Sequence, residues 1–198
     1  MRRLKIIGPL ILLAAVLLFA QWNCPPEGCA ISRNAREFAR LKNRTTLPRA
    51  SDFDNRVTLA AILQPGDDTT RWSNTRAAAL EGYVVEVKEG AIEASNCLSF
   101  TERDTHIDLA LKLDAPPAER AILEVSPRMR AWAKGQGQDW STNALKRQLV
   151  GHQCRFQGWL LFDHEHADQS ENTALSAKDN WRATAWELHP VTDIKVVN

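Results

Sequence analysis

Six side chains in the second half of the chain carry most of its chemical potential. His106 lies in Arg103-Asp-Thr-His-Ile-Asp-Leu109, Asp163 and His166 in Asp163-His-Glu-His166, and Glu187 and His189 in Trp186-Glu-Leu-His189. Imidazoles change charge near neutral pH, and carboxylates beside them take or give up protons. The same donors bind Zn2+ or Mn2+, so a divalent metal is the cofactor this set would accept. Trp159 adds a flat ring on which a sugar or base can stack. The alternation of strand side chains puts Glu187 and His189 on one face. His106 falls opposite the Ile107, Leu109, Leu111, Leu113 phase, so it points away from a core. His106, Trp159, Asp163, His166, Glu187 and His189 are therefore the candidates for one ligand-binding face.

Each also has a purely structural reading. Glu187 and His106 can pair across strands, Asp104 or Asp163 can cap turns, and His189 can bond backbone beside Pro190. His152, at the start of a strand, stands apart from the set. Catalytic residues stay unassigned: there is no nucleophile elbow, phosphate-binding loop or dinucleotide fingerprint.

These residues need strands to position them. The spacing predicts strands at Tyr83–Lys88, Asp104–Leu113, Ala121–Val125, Gln153–Phe162 and Arg182–Val197, the last bent at Pro190. Residues 128–150 predict one or two helices, the second starting after Ser141 and Thr142 and ending at Gly151. Three strands, a helix and two strands is the order of a small, mainly β, OB-like five-stranded Greek-key barrel with a helix between strands three and four.

The rest of the chain divides simply. Arg2, Arg3 and Lys5 precede an apolar run from Ile6 to Ala20, shorter than the roughly 20 residues of a membrane span and suited to a signal peptide. Residues 1–20 are thus a signal peptide or an N-terminal membrane anchor. Residues 21–56 are expected to be a linker carrying a short helix over 31–44, with Arg33, Arg36, Arg40, Lys42 and Arg44 on a solvated basic face. A short apolar element at Val57–Leu63, capped by Thr58 and stopped by Pro65-Gly-Asp-Asp68, opens the barrel domain, 57–198. Export places the domain in the periplasm, outside the cell, or on the inner membrane. Four cysteines suit that compartment. Local spacing favours Cys24 with Cys29 across Pro25-Pro-Glu-Gly28, and Cys97 with Cys154.

The chain has 198 residues with 25 Lys and Arg against 24 Asp and Glu, for a net charge of +1. Losing residues 1–20 leaves it slightly acidic. That argues against a nucleic-acid partner, whose phosphates call for a basic surface. Arg128, Arg130, Arg155 and Arg182 show no phosphate-binding spacing.

Several segments are familiar together: Glu81-Gly-Tyr-Val-Val-Glu-Val-Lys88, Arg103-Asp-Thr-His-Ile-Asp-Leu109, Glu124-Val-Ser-Pro-Arg128, Gly158-Trp-Leu-Leu-Phe-Asp-His-Glu-His166 and Trp186-Glu-Leu-His-Pro-Val-Thr192. They resemble a family of uncharacterised secreted bacterial domains that are OB-like. The resemblance covers about residues 57–197. It implies the fold and a bacterial origin, and it transfers no catalytic residue. The expected function is an exported noncatalytic binding or interaction module of the bacterial cell envelope. Its partner would be an envelope protein or a small molecule, and it would meet the membrane only through its N-terminal segment. The alternatives are a metal-dependent hydrolase using the His/Asp/Glu cluster and, by analogy of fold alone, a nucleic-acid-binding OB domain.

Overall fold

A computed structural model describes residues 23–197. The expected signal or anchor segment, residues 1–20, lies outside them. The strands are β1 (Ala77–Glu89), β2 (Thr105–Ala110), β3 (Ala121–Val125), β4 (Gln153–Phe162) and β5 (Trp186–Val196). They close a barrel in the order β1-β2-β3-β5-β4, the OB-like arrangement expected from the sequence. The long β1 makes closure possible. Its first half pairs with β4, from Ala77 opposite Trp159 to Tyr83 opposite Gln153, and its second half pairs with β2, from Tyr83 opposite Ala110 to Glu89 opposite Thr105. β3 runs antiparallel to β2 and parallel to β5, and β5 runs antiparallel to β4.

Alternation fills the barrel. Leu80, Val84 and Val87 of β1, Ile107 and Leu109 of β2, Leu123 and Val125 of β3, Phe156 and Leu160 of β4, and Leu188 and Val191 of β5 meet in one apolar cluster. The helices are α1 (Arg33–Lys42), α2 (Leu59–Ile62), α3 (Pro127–Gly135) and α4 (Thr142–Leu149). The last two lie between β3 and β4 and add Met129, Ala133, Leu145 and Leu149 to the cluster. Each begins where a serine hydroxyl accepts a backbone N–H: Ser126 from Met129, and Ser141 from Ala144. Thr58 does the same for α2, accepting from Ala61. Two glycines allow close approach. A Cβ on Gly82 would meet Leu59 Cδ2 at 2.3 Å, and one on Gly158 would meet the Pro190 carbonyl oxygen at 2.6 Å.

Several expectations need correction. β2 ends at Ala110, because β3 begins opposite Leu109, so Leu111 and Leu113 are exposed rather than in the core. Residues 182–185 do not join β5; they wrap around the buried Asp68, whose carboxylate accepts from Thr184 Oγ1 at 2.5 Å and from the Ala185 N–H at 3.3 Å. The stretch read as a linker is fastened down. Asn43 donates to the Pro26 and Ser95 carbonyls, Arg44 donates to the carbonyls of Asn74 and Leu160, and Trp159 donates to the Thr46 carbonyl. The face of α1 read as solvated holds only in part: Arg33, Arg36 and Arg40 are exposed, but Lys42 is buried.

The disulfide pairing also differs from the expected one. Cys24 bonds to Cys97, while Cys29 is an exposed thiol and Cys154 a buried one. The Pro25–Gly28 turn does form, with the Gly28 N–H donating to the Pro25 carbonyl at 2.8 Å. It turns Cys29 toward the Ala94 carbonyl instead of toward Cys24. Cys154 points into the barrel with Phe156, so its sulfur cannot reach a loop outside the wall. The bond ties the N-terminal arm, the described residues 23–56, to the loop after β1 across 73 residues, a closure that contributes about 2–4 kcal/mol. A disulfide is compatible with a location outside the cytosol. No helix among the described residues is long and apolar enough to cross a membrane.

Two outcomes follow for the fold. Alkylating the native, unreduced protein should label Cys29, spare Cys154 until unfolding, and leave Cys24 and Cys97 in one linked peptide pair; a Cys97–Cys154 peptide would overturn the pairing. Phe156→Ala should lower stability by about 3–5 kcal/mol in urea unfolding, because it empties the centre of the cluster.

Candidate functional site

The apolar alternation that fills the barrel pushes polar side chains to its outer wall. On β2 and the residue before it, Asp104, His106 and Asp108 alternate with Thr105, Ile107 and Leu109. On β3, Glu124 alternates with Leu123 and Val125. On β5, Glu187 and His189 alternate with Trp186 and Leu188. The register sets His106 opposite Glu124 and Ile122 opposite Glu187, so three neighbouring strands present these groups together. The wall is not open to water. Asp104, His106, Glu124 and Glu187 are each under a tenth exposed, and His189 is fully buried. Lys42 of α1 and the segment from Asp163 to Arg182 close over them.

The cover is held by charge. The Arg182 side chain is fully buried. It donates from Nη1 to Asp163 Oδ2 at 3.0 Å, from Nη2 to Glu187 Oε1 at 2.7 Å, and from Nε to the Thr184 carbonyl at 2.8 Å. Asp163 also meets His166 Nδ1 at 2.7 Å. Lys42 pairs with Glu93, and Arg120 Nη1 with Asp108 at 3.1 Å. The imidazoles bridge the carboxylates. His106 Nδ1 is 3.4 Å from Glu124 Oε1, and its Nε2 is 3.6 Å from Asp108. His189 Nδ1 is 3.3 Å from Glu187 Oε2 and 3.2 Å from Glu124 Oε2, and its Nε2 is 3.8 Å from Asp104 Oδ2.

Burial and crowding shift the protonation of these groups. Burial pushes the Asp104 carboxyl up to about 7, against the pull of His189. Burial also raises Glu187, more than Arg182 lowers it. Glu124 goes the other way: burial opposes its charge, but His189, His106 and Lys42 together hold it well below the usual carboxylate range. Burial would lower His189, yet Glu124, Glu187 and Asp104 raise it to about 8. Burial would likewise lower Lys42, and Glu93, Glu124, Asp104 and Glu187 raise it instead.

Above this layer is a pocket of about 360 Å³. His106, Glu124, Asp163, His166 and Glu187 line it, and Trp181 forms one side, its ring 5.4 Å from that of His106 and 5.6 Å from that of His166. A larger hollow of about 1060 Å³, beside Leu63, Leu111 and Leu175, is lined by no imidazole or thiol. Comparison with family models, curated proteins and solved structures returns no match. The chemistry of the site is therefore read from its own groups.

Of the six residues singled out from sequence, the structure brings five together. His106, Asp163, His166 and Glu187 line the pocket, and His189 lies beneath it in contact with Glu187. Trp159 belongs elsewhere. It faces out from β4, where the Arg44 guanidinium lies 4.9 Å over its ring and the Thr46 carbonyl takes its N–H. Trp181 occupies the aromatic place instead. Sequence reasoning passed over Asp104 and Glu124 as site members, although both share the parity of His106 on their strands. Nothing in the sequence marked Lys42 or Arg182, whose roles depend on segments far from the wall.

Two measurements check this electrostatic layer. Asp163 holds the His166 imidazole above its ordinary pKa, the hydrogen bond between them outweighing burial. Protonated His166 therefore adds stability that is complete below about 6.5 and lost as pH rises through its folded value. Asp163 is depressed: His166 and Arg182 overcome the effect of burial, so its stability is present above about 3.9 and lost as pH falls toward its folded value. In NMR titration His166 should titrate above 6.5, and Asp163→Asn should bring it back down. Arg182→Met should cost about 3–5 kcal/mol, because it removes the buried cation that Asp163 and Glu187 share and leaves each with only an imidazole partner. A change below about 1 kcal/mol would mean that water reaches both carboxylates.

Proposed function

We propose that this protein is an exported noncatalytic binding module of the bacterial cell envelope, and that its ligand is a small polar molecule seated in the pocket beside Trp181. One observation carries the reading: a preformed cleft in which Trp181, Asp163 and His166 of the cover meet His106, Glu124 and Glu187 of the barrel wall, a concave site with convergent polar groups. The pocket lining includes no serine, threonine or cysteine, so a hydroxyl or thiol nucleophile is not at hand. The Cys24–Cys97 disulfide supports a periplasmic or secreted location, and the apolar run at Ile6–Ala20 supports export or anchoring in the inner membrane. The acidic wall disfavours nucleic acid, since phosphates would meet carboxylates where an OB strand face otherwise receives a strand of bases.

A second reading, a metal-dependent hydrolase, has one observation in its favour: Asp104, Glu124 and His189 bring two carboxylates and an imidazole together beneath the pocket. A bound ion there would supply an activated water without any protein nucleophile.

The test is an NMR screen of the oxidised protein against amino acids, amines, sugars and nucleotides, followed at the Trp181 indole and the His106 ring. The binding reading expects one class to shift both signals saturably, and Trp181→Ala to weaken that binding at least tenfold. It fails if no class moves either signal. It also gives way to the hydrolase reading if p-nitrophenyl phosphate or acetate is turned over with Zn2+ or Mn2+ and chelation abolishes the turnover.

A further inference from the structure

We infer that Asp104, Glu124 and His189 form a binding site for one divalent transition-metal ion, Zn2+ or Mn2+, in the floor of the pocket. Each offers a donor atom, and the three atoms lie within 4.8 Å of one another. Donors around a single ion at 2.0–2.2 Å sit roughly 3–3.5 Å apart, so the cluster must draw in by up to about 1.5 Å to hold one. All three residues are buried. Buried polar atoms ordinarily have hydrogen-bond partners. Here both oxygens of Asp104, Oε2 of Glu124 and Nε2 of His189 have no hydrogen-bond partner among the described residues. These are the atoms an ion would take, and Asp104 Oδ2 and His189 Nε2 face each other at 3.8 Å.

The second nitrogen of His189 strengthens the case. Nδ1 lies 3.2 Å from Glu124 Oε2 and 3.3 Å from Glu187 Oε2, and only the Glu187 contact has hydrogen-bond geometry. An Nδ1–H donating to Glu187 orients the ring so that Nε2, once an ion displaces its proton, offers its lone pair to the metal, the usual outer arrangement of a metal-binding histidine. Glu187 is thus a positioning residue, and Arg182 holds it in place through its other oxygen. The charge balance points the same way. Glu93, Asp104, Asp108, Glu124, Asp163 and Glu187 are six carboxylates, and Lys42, Arg120 and Arg182 are the permanent cations paired among them. The raised imidazoles of His166 and His189 offset part of that excess, and a divalent ion displacing the His189 proton adds one further positive charge. The donor set selects its class: an imidazole with two carboxylates suits Zn2+ or Mn2+ better than Mg2+ or Ca2+, which favour oxygen alone.

Of the three donors Glu124 alone lines the pocket, so a bound ion would meet the ligand space on the Glu124 side. In that respect the inference rests on the pocket being the binding site, and it names a metal ion as part of what the pocket offers.

The test uses the full-length oxidised chain, stripped with chelator and titrated by calorimetry with ZnCl2 alone and with MnCl2 alone. The expected result is one ion per chain, with Glu187→Gln weakening binding roughly 10–100-fold and Asp104→Asn weakening it at least as much. Asp104→Asn is nearly isosteric and breaks no hydrogen bond, so near-UV circular dichroism should show it folded. Should it not fold, the wild-type 15N spectrum decides: Zn2+ must shift Nε2 of His189 and leave its Nδ1 bearing a proton. No stoichiometric binding, binding that Asp104→Asn leaves unchanged, or a shift confined to surface groups overturns the inference. The small-molecule screen is independent of it. A bound ion with no small-molecule ligand defeats the pocket reading alone, and a small-molecule ligand with no ion defeats the metal site alone.

Discussion

The buried Arg182 guanidinium is the interaction on which the rest of the site depends. It reaches Asp163 at the end of β4 with one nitrogen and Glu187 on β5 with another, while its third nitrogen bonds the backbone of its own segment. A charge fully removed from water is tolerable only when its donors are satisfied, and breaking such a set is costly. Arg182 therefore fixes where the cover crosses the wall. That placement sets Trp181 beside His106 and His166, and it orients Glu187 toward His189. The pocket is a by-product of satisfying one guanidinium.

The wall itself follows from a simpler constraint. A strand that fills a barrel with every second residue presents the alternate set outward. Most barrels meet water there. Here the outward set on β2, β3 and β5 is acidic and imidazole-rich, and α1 with the 163–182 segment covers it. Groups that would be ordinary on a surface become perturbed once covered, and such groups collect where ligands bind. Burial under the cover raises Asp104, whereas His189, against its own burial, owes its raised pKa to the carboxylates of the wall itself, Glu124, Glu187 and Asp104.

Much of this was legible from residue order, and the limits have physical reasons. Strand parity placed His106, Glu187 and His189 on one outer face because alternation is local and needs no tertiary knowledge. The order of strands and helices gave the barrel for the same reason. The cysteines were misread because Pro-Pro-Glu-Gly is a good turn, and turn formation does not dictate which way the next side chain points. Lys42 looked like one more solvated cation on a basic helix; only docking of α1 against Glu93 makes it internal. Trp159 shares the outward parity expected of it, but β4 faces the arm rather than the pocket. Arg182 sat in a stretch that reads as strand, and Asp68, over a hundred residues earlier, pulls that stretch into a loop.

The Cys24–Cys97 bond gives the site a history as well as a shape. Part of the cover arrives with the N-terminal arm, and the bond that pins this arm forms only where thiols are oxidised. In a chain whose cysteines are still reduced, α1 is held by Phe38, Ala39, the Lys42–Glu93 pair and a few hydrogen bonds, and the acidic wall is correspondingly easier to flood with water. Completion of the site then depends on the oxidation of one pair of cysteines. A chain with both thiols free keeps the barrel and its apolar core but carries the polar wall under a looser cover.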